Sequence, residues 1–342
     1  MRVAATTVIR HVGTEESSGR LLILEVQPDR VEVVAQARLP ESPFRSRDRN
    51  PRGGTRGLRA VSALSGALVV ADCSRIMTLD GNLAVVAEIT HPLLGMVHAI
   101  APDDAGVWAA STSADALVRL TWGGDLERVL RVTDLPGLAT SLGLAHPDPL
   151  EAGPFDDPAR LVSRVHDVAH PNAMWFEDDR IIIALGQALC RPDGHDSAPV
   201  RDREGNWTRP AGEWDTRHVI LEVRESSAGP RATVLWDQPV AGVPNHDLLV
   251  RGDRFWFNDS GTREVVGVHR RDDVARVPVE GDFVRGLVSL DDQRVLVGTQ
   301  SPLRVHVVDP TSRRTLFMQD LPGDTRESIT CLATIPEGVT TP

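Results

Sequence analysis

His246-Asp-Leu-Leu-Val-Arg-Gly-Asp, followed at once by Arg254-Phe-Trp-Phe, reads as one antiparallel hairpin: two apolar runs of strand length divided by a Gly-Asp turn. The same order recurs at His98-Ala-Ile-Ala-Pro-Asp-Asp with Gly106-Val-Trp-Ala-Ala, and at Asn172-Ala-Met-Trp-Phe-Glu-Asp-Asp with Arg180-Ile-Ile-Ile. It recurs again at Arg285-Gly-Leu-Val-Ser-Leu-Asp-Asp with Arg294-Val-Leu-Val. Internal repetition at about 40 residues is the signature of a propeller or a solenoid. Each unit holds four short β-type runs split by turn residues, which favours a propeller blade.

Working outward, a first blade runs from Arg59 through Leu68-Val-Val-Ala-Asp and Ile76-Met-Thr-Leu to Ala84-Val-Val-Ala-Glu. The second runs from His98 to near Pro136, the third from Asn172 to near Gly242, the fourth from His246 to near Glu280 and the fifth from Arg285 to near Asp320. The last repeat begins at Glu327-Ser-Ile-Thr-Cys-Leu-Ala-Thr-Ile and lacks its three outer strands. Those strands read at the other terminus, as Val3-Ala-Ala-Thr-Thr-Val-Ile, Leu21-Leu-Ile-Leu-Glu-Val and Val31-Glu-Val-Val-Ala-Gln-Ala. The expected fold is all-β: one six-bladed propeller domain over residues 1–342, with the C-terminal strand closing the ring against N-terminal strands. Closure removes the exposed edges an open array would carry.

Two of the intervals between first strands are nearly twice the others, because residues 137–169 and 187–217 are inserted. A third insertion, residues 41–55, precedes the first blade. In an up-and-down blade all three loops open on one face, so they should gather over one mouth of the central channel, where binding sites are usually built. Within the first insertion, Asp157-Pro-Ala-Arg-Leu-Val-Ser-Arg-Val-His-Asp-Val reads as a short helix with proline at its first position.

Composition narrows the function. The net charge is −11 and the one basic cluster is Arg45 to Arg56, so nucleic acid is not an expected partner. No apolar run approaches a membrane span, and the N-terminus does not read as a signal peptide. Cys73, Cys190 and Cys331 form no CxxC pair and fit three free thiols in a cytoplasmic protein. Every basic side chain other than histidine is arginine, and tyrosine is absent. Catalysis must therefore rest on His, Asp, Glu, Cys, Ser, Thr, Arg or a metal. No GxSxG, HExxH, P-loop or dinucleotide fingerprint is present.

Aligned on the repeat, the innermost strand starts are Arg59, His98, Asn172, His246, Arg285 and Glu327, a ring without an aliphatic member. Convergent polar groups in a concavity mark a small-molecule site. By strand alternation Asp247 should point into its blade. His195, Asp196 and His218 read as surface residues. His166 and His170 lie four apart, a ligand spacing if the segment is helical, but Pro171 ends the helix first, which favours a solvated or lid-packing role over direct ligation. Cys73 and Cys331 read as buried and inert, and Asp259 as the cap of the Gly261 turn.

His170-Pro-Asn-Ala-Met-Trp-Phe and Phe257-Asn-Asp-Ser-Gly-Thr-Arg-Glu-Val-Val resemble the strand starts and second strands of the six-bladed SMP-30/gluconolactonase, strictosidine synthase-like and NHL-repeat propellers. The resemblance implies an axial divalent metal held by a Glu, an Asn three blades on and an Asp on the next blade. Counted round this ring, the positions are Glu327, Asn172 and His246, with His98 at a substrate or metal-shell position; histidine replaces the expected Asp. Glu and Asn oxygens suit calcium, whereas added imidazoles move the preference toward zinc, manganese or iron.

Two functions follow. One is a metal-assisted enzyme acting on a carboxylate-, lactone- or ester-bearing small molecule by hydrolysis, elimination or epimerisation. In it Glu327, Asn172, His246 and His98 hold the metal, His246, His98 and Glu327 do the chemistry, and Arg59, Arg285 and Asn172 bind substrate. The other is a non-catalytic propeller that binds a metabolite or a protein, with the arginines paired to Glu327.

Overall fold

The computed structural model describes residues 1–10, 12, 16, 18–42, 57–144, 168–177, 179–190, 200–201, 207–208, 215–240, 243–270, 273–339 and 341. Most of the three insertions, the expected helix apart from its last residue Val168, His166, His195, Asp196 and Arg45–Arg56 lie outside these residues.

The regular secondary structure of the described chain is almost entirely strand. β1 (Arg2–Ile9), β2 (Leu21–Val26) and β3 (Val31–Ala37) come first. β4 (Ala60–Leu64), β5 (Ala67–Ala71), β6 (Arg75–Leu79) and β7 (Val85–Thr90) form one four-stranded sheet, and β8 (Val97–Asp103), β9 (Gly106–Ser111), β10 (Ala116–Thr121) and β11 (Leu126–Arg131) a second. The third joins β12 (Pro171–Glu177) and β13 (Arg180–Cys190) to β16 (Asp215–Arg224) and β17 (Arg231–Pro239), with a small ribbon of β14 (Val200–Arg201) and β15 (Trp207–Thr208) between them in sequence. The fourth holds β18 (His246–Arg251), β19 (Arg254–Asp259), β20 (Glu264–Arg270) and β21 (Asp273–Pro278).

The remaining strands are β22 (Asp282–Ser289), β23 (Val295–Gln300), β24 (Arg304–Asp309), β25 (Arg314–Asp320) and β26 (Glu327–Ile335). Here the architecture departs from six separate sheets. Among the described residues, besides the β14–β15 ribbon, there are four separate four-stranded sheets and one eight-stranded sheet, in which β26 pairs with β1 and a single bridge, Gln300 to Ser328, ties β26 to β23. The bridge forms because β23 runs one residue past its hairpin and meets the start of β26. The C-terminal strand thus pairs antiparallel with the N-terminal one over Arg2–Ile9 and Glu327–Ile335.

Packing explains the patterning. Apolar clusters lie between neighbouring sheets: Val69, Ala71 and Ile76 meet Val107, Ala109 and Val118, while Ile182, Ala184 and Ile220 meet Phe255, Phe257 and Val266. Middle strands are therefore buried on both faces and read as unbroken apolar runs such as Leu21–Leu24. Outer strands bury one face and alternate, as β3 does. Innermost strands touch in succession, β4 against β8, β8 against β12, β12 against β18, β18 against β22, β22 against β26 and β26 against β4. The result is a propeller-like all-β arrangement. Among the described residues no helix is long and apolar enough to cross a membrane.

Candidate functional site

The innermost strands are irregular at the residues that matter. Pairing of β8 with β9 skips His98, pairing of β12 with β13 skips Asn172, and pairing of β18 with β19 breaks between His246 and Leu249. In β22 the register slips on both sides of Arg285. A bulge bends its strand and re-aims a side chain, so four successive first strands each turn polar groups toward the axis. Gly286 makes the β22 bulge possible: its φ is +78°, and a Cβ there would lie 2.8 Å from Ile329 Cγ2.

Three histidines cluster as a result. The His98 ring centroid lies 5.1 Å from that of His170, edge to face, and 6.1 Å from that of His246. His246 in turn lies 5.4 Å from Phe283, over which Arg10 stacks at 4.7 Å. All three imidazoles are buried. Burial, with the nearby Arg285 guanidinium as the next cause, holds His98 and His246 well below the ordinary imidazole range. Both are neutral at pH 7.

The tautomer of His246 follows from its partner. Ser260 Oγ donates its only proton to the Val284 carbonyl at 2.8 Å and lies 2.9 Å from His246 Nδ1. Nδ1 must therefore donate to the serine oxygen, which leaves the lone pair on Nε2.

Arg285 is 3% exposed, and among the described residues its guanidinium makes no ion pair and no hydrogen bond. Burial, then repulsion from Arg59, pushes it down to about 9, with Asp247 opposing. Asp247 was expected to point into its blade. Instead the bulge and a φ of +64° let its Oδ2 bridge two sheets, accepting from Asn258 Nδ2 of its own sheet and from the Gly286 amide of the next, both at 2.9 Å. Burial pushes its carboxyl up to about 6.

Glu327 stands apart. Its carboxylate accepts from Thr7 Oγ1, and from Arg20 Nε and Nη2 at 2.9 and 3.0 Å. Neither Arg59 nor Arg285 is its partner. Asn172 Nδ2 donates to the Asn245 carbonyl, while its Oδ1 is buried with no hydrogen-bond partner. Among the described residues no three His, Cys, Asp or Glu side chains lie close enough to share a metal ion. With Glu327 committed to Arg20, and the histidines surrounded by guanidinium groups, the donor set of Glu327, Asn172, His246 and His98 does not fit a divalent cation.

The remaining expectations divide. His218 is not a surface residue: it is fully buried, 4.3 Å from Phe257 and 5.9 Å from Trp236, and burial pushes it down to about 3. His170 belongs to the axial cluster. Asp259 Oδ1 does cap its turn, accepting from the Thr262 amide at 3.1 Å. Cys73 and Cys190 are buried, Cys331 is partly so, and burial pushes all three thiols up to about 12. Arg10, His170, Ser260 and Phe283 were not read as site residues. None of the four begins a repeat, and only His170 had a second pointer, its spacing of four from His166.

No protein-family profile matches the chain, and comparison with curated proteins finds no relative. Among solved structures the chain is similar to one titled "Crystal structure of Nidogen/Laminin Complex", with a TM-score of 0.56, 9% identity and 97% of each chain covered. It is also similar to a streptogramin B lyase structure (TM-score 0.47, 11% identity, 78% of this chain and 70% of that one). A third is the β-propeller domain of Myceliophteria thermophila Cps50 (Swd1), with a TM-score of 0.47, 9% identity, and 89% and 81% covered. Likeness at such identities is of fold alone, and the chain has a β-propeller architecture.

Proposed function

We propose that the protein is a hydrolase that opens an ester or lactone in a carboxylate-bearing small molecule, with its site on the axis of a single six-bladed propeller domain. The six-blade count divides the eight-stranded sheet at the Gln300–Ser328 bridge, and the closed succession of innermost strands supports it. The reading places the protein in a reducing cytoplasm, where three unreactive thiols stay reduced.

One observation carries the chemistry: a buried arginine with no ion pair among the described residues lies within electrostatic reach of a neutral histidine whose tautomer is fixed. Asp247 offsets the cost of burying this cation only in part, and an anionic ligand offsets the rest. Arg285 thus takes the substrate carboxylate or the developing oxyanion, with Arg59 adding to the positive field. His246 Nε2 accepts a proton from the attacking water, as general-base catalysis requires. No metal enters the mechanism.

The test is hydrolysis of a panel of carboxylate-bearing lactones and esters, followed by proton release, with benzoate as a non-reacting carboxylate probe. Arg285→Gln should abolish benzoate binding. His246→Gln should leave benzoate bound and stop turnover. Benzoate binding without turnover of any panel member would favour a binding module, and no binding at all would refute the reading.

A further inference from the structure

Blade two clamps the chain where it enters blade three. Asp115, 1% exposed and itself at φ +49°, accepts the amides of Val168, Ala169 and His170 on one carboxylate, at 2.7, 2.8 and 3.0 Å. Thr112 Oγ1, three residues earlier, donates to the Pro171 carbonyl at 3.0 Å. From the blade-three side, the Gly186 amide donates to the His170 carbonyl at 2.9 Å and the Leu189 amide to the Val168 carbonyl at 2.8 Å. Four consecutive residues are thus fixed from two sheets.

This clamp holds His170 at φ +50°, a left-handed conformation that non-glycine residues keep only where surrounding contacts impose it. Three converging amides around one carboxylate are a strong, charge-assisted arrangement. Nothing in the strand ladder of β12 needs it, since β12 pairs regularly beyond Ala173. What the conformation achieves is placement: it turns the His170 ring edge-on to His98, within electrostatic reach of His246.

We propose that His170 is a further substrate-contacting residue of the axial site, and that Asp115 is its positioning residue. The inference rests on the axial-site reading given above and adds to it a residue pair drawn from two blades. The clamp sets His170 before ligand arrives, so no binding free energy is spent on ordering it.

The experiment uses the full chain and benzoate, with the histidine rings followed by long-range proton–nitrogen spectra. In wild-type protein saturating benzoate should shift the His170 ring signals, identified by their loss in His170→Gln. His170→Ala should weaken benzoate binding about tenfold, the equivalent of one hydrogen bond to a charged group. Asp115→Asn keeps the shape but sets an amide NH₂ against a backbone donor. It should displace the His170 ring signals in ligand-free protein, leave those of His246 in place and weaken benzoate about as much as His170→Ala. The double variant should be no weaker than either single one. Unmoved His170 signals at saturation, or wild-type affinity in His170→Ala, would overturn the assignment. Additive losses in the double variant would remove Asp115 from the role. Wild-type protein that binds no benzoate would overturn the axial-site reading together with this one.

Discussion

Arg20 holds Glu327 at two points, Nε to Oε1 at 2.9 Å and Nη2 to Oε2 at 3.0 Å, tying the strand that closes the fold to the turn before β2. The glutamate is 1% exposed and its partner 14%. Removing one partner of such a pair leaves a charge stranded in low dielectric. Glu327→Gln should therefore destabilise the protein by about 3–5 kcal/mol, read from urea unfolding, and leave benzoate binding intact once the folded fraction is counted. An unchanged midpoint would show that water already solvates the pair.

Arg285 should behave in the opposite way. Burial and repulsion from Arg59 outweigh the attraction of Asp247, which can take up a proton once the guanidinium is gone, so an apolar side chain of similar length should stabilise the fold. Arg285→Met should raise the melting temperature of ligand-free protein while eliminating benzoate binding, a trade of stability for function. A lowered melting temperature would mean that the guanidinium stabilises the fold in its own right.

Ser260 tests the tautomer. Without its hydroxyl, His246 loses the acceptor that keeps the proton on Nδ1. Ser260→Ala should lower turnover about tenfold, as expected for about 1.4 kcal/mol, with KM little changed. The ring nitrogen signals of His246 should show a mixture of the two tautomers. A single unaltered tautomer in the variant would assign its control elsewhere.

The buried histidines set the acid limit. His218 has a folded-state value near 3 against an ordinary 6.5, so in that interval the unfolded chain binds the extra proton and stability falls as pH is lowered. His98 and His246 shift the same way. Asp247 runs opposite: between 3.8 and about 6 the folded state holds its proton, so that contribution declines as pH rises. Unfolding free energy should thus drop steeply below pH 6.5. His218→Phe, a ring between Phe257 and Trp236, should reduce the slope by about 1.4 kcal/mol per pH unit. Equal slopes in the two proteins would place His218 outside the acid response.

The strands were legible in the sequence because apolar periodicity survives any register. Val3–Ile9, Leu21–Val26 and the hairpins at His98, Asn172, His246 and Arg285 form where the repeat predicts. Side-chain direction was less legible, because alternation assumes an unbroken ladder. Asp247 reaches the Gly286 amide of the next sheet as well as Asn258 of its own for that reason: the bulge after His246 is a register slip that no local composition announces. Glu327 begins its strand as expected, yet it answers to Arg20, a partner distant in sequence. His218 looked like a surface residue because it borders an insertion, whereas Phe257 and Trp236 come from strands on either side of it.

The pairing of β1 with β26 also fixes an order of assembly. Thr7 and Glu327, which share a hydrogen bond, stand 320 residues apart in sequence. On the ribosome β1 therefore waits, its axis-facing edge unanswered, until residue 335 has emerged. The entropy of joining such distant segments grows only with the logarithm of their separation, so the finished molecule loses little equilibrium stability by it. The penalty falls on rate, because folds dominated by remote contacts reach their transition state slowly. In the interval the early hairpin of β1 and β2 is open to mispairing with other nascent chains, which gives the cell a reason to shield that hairpin until residue 335 is made.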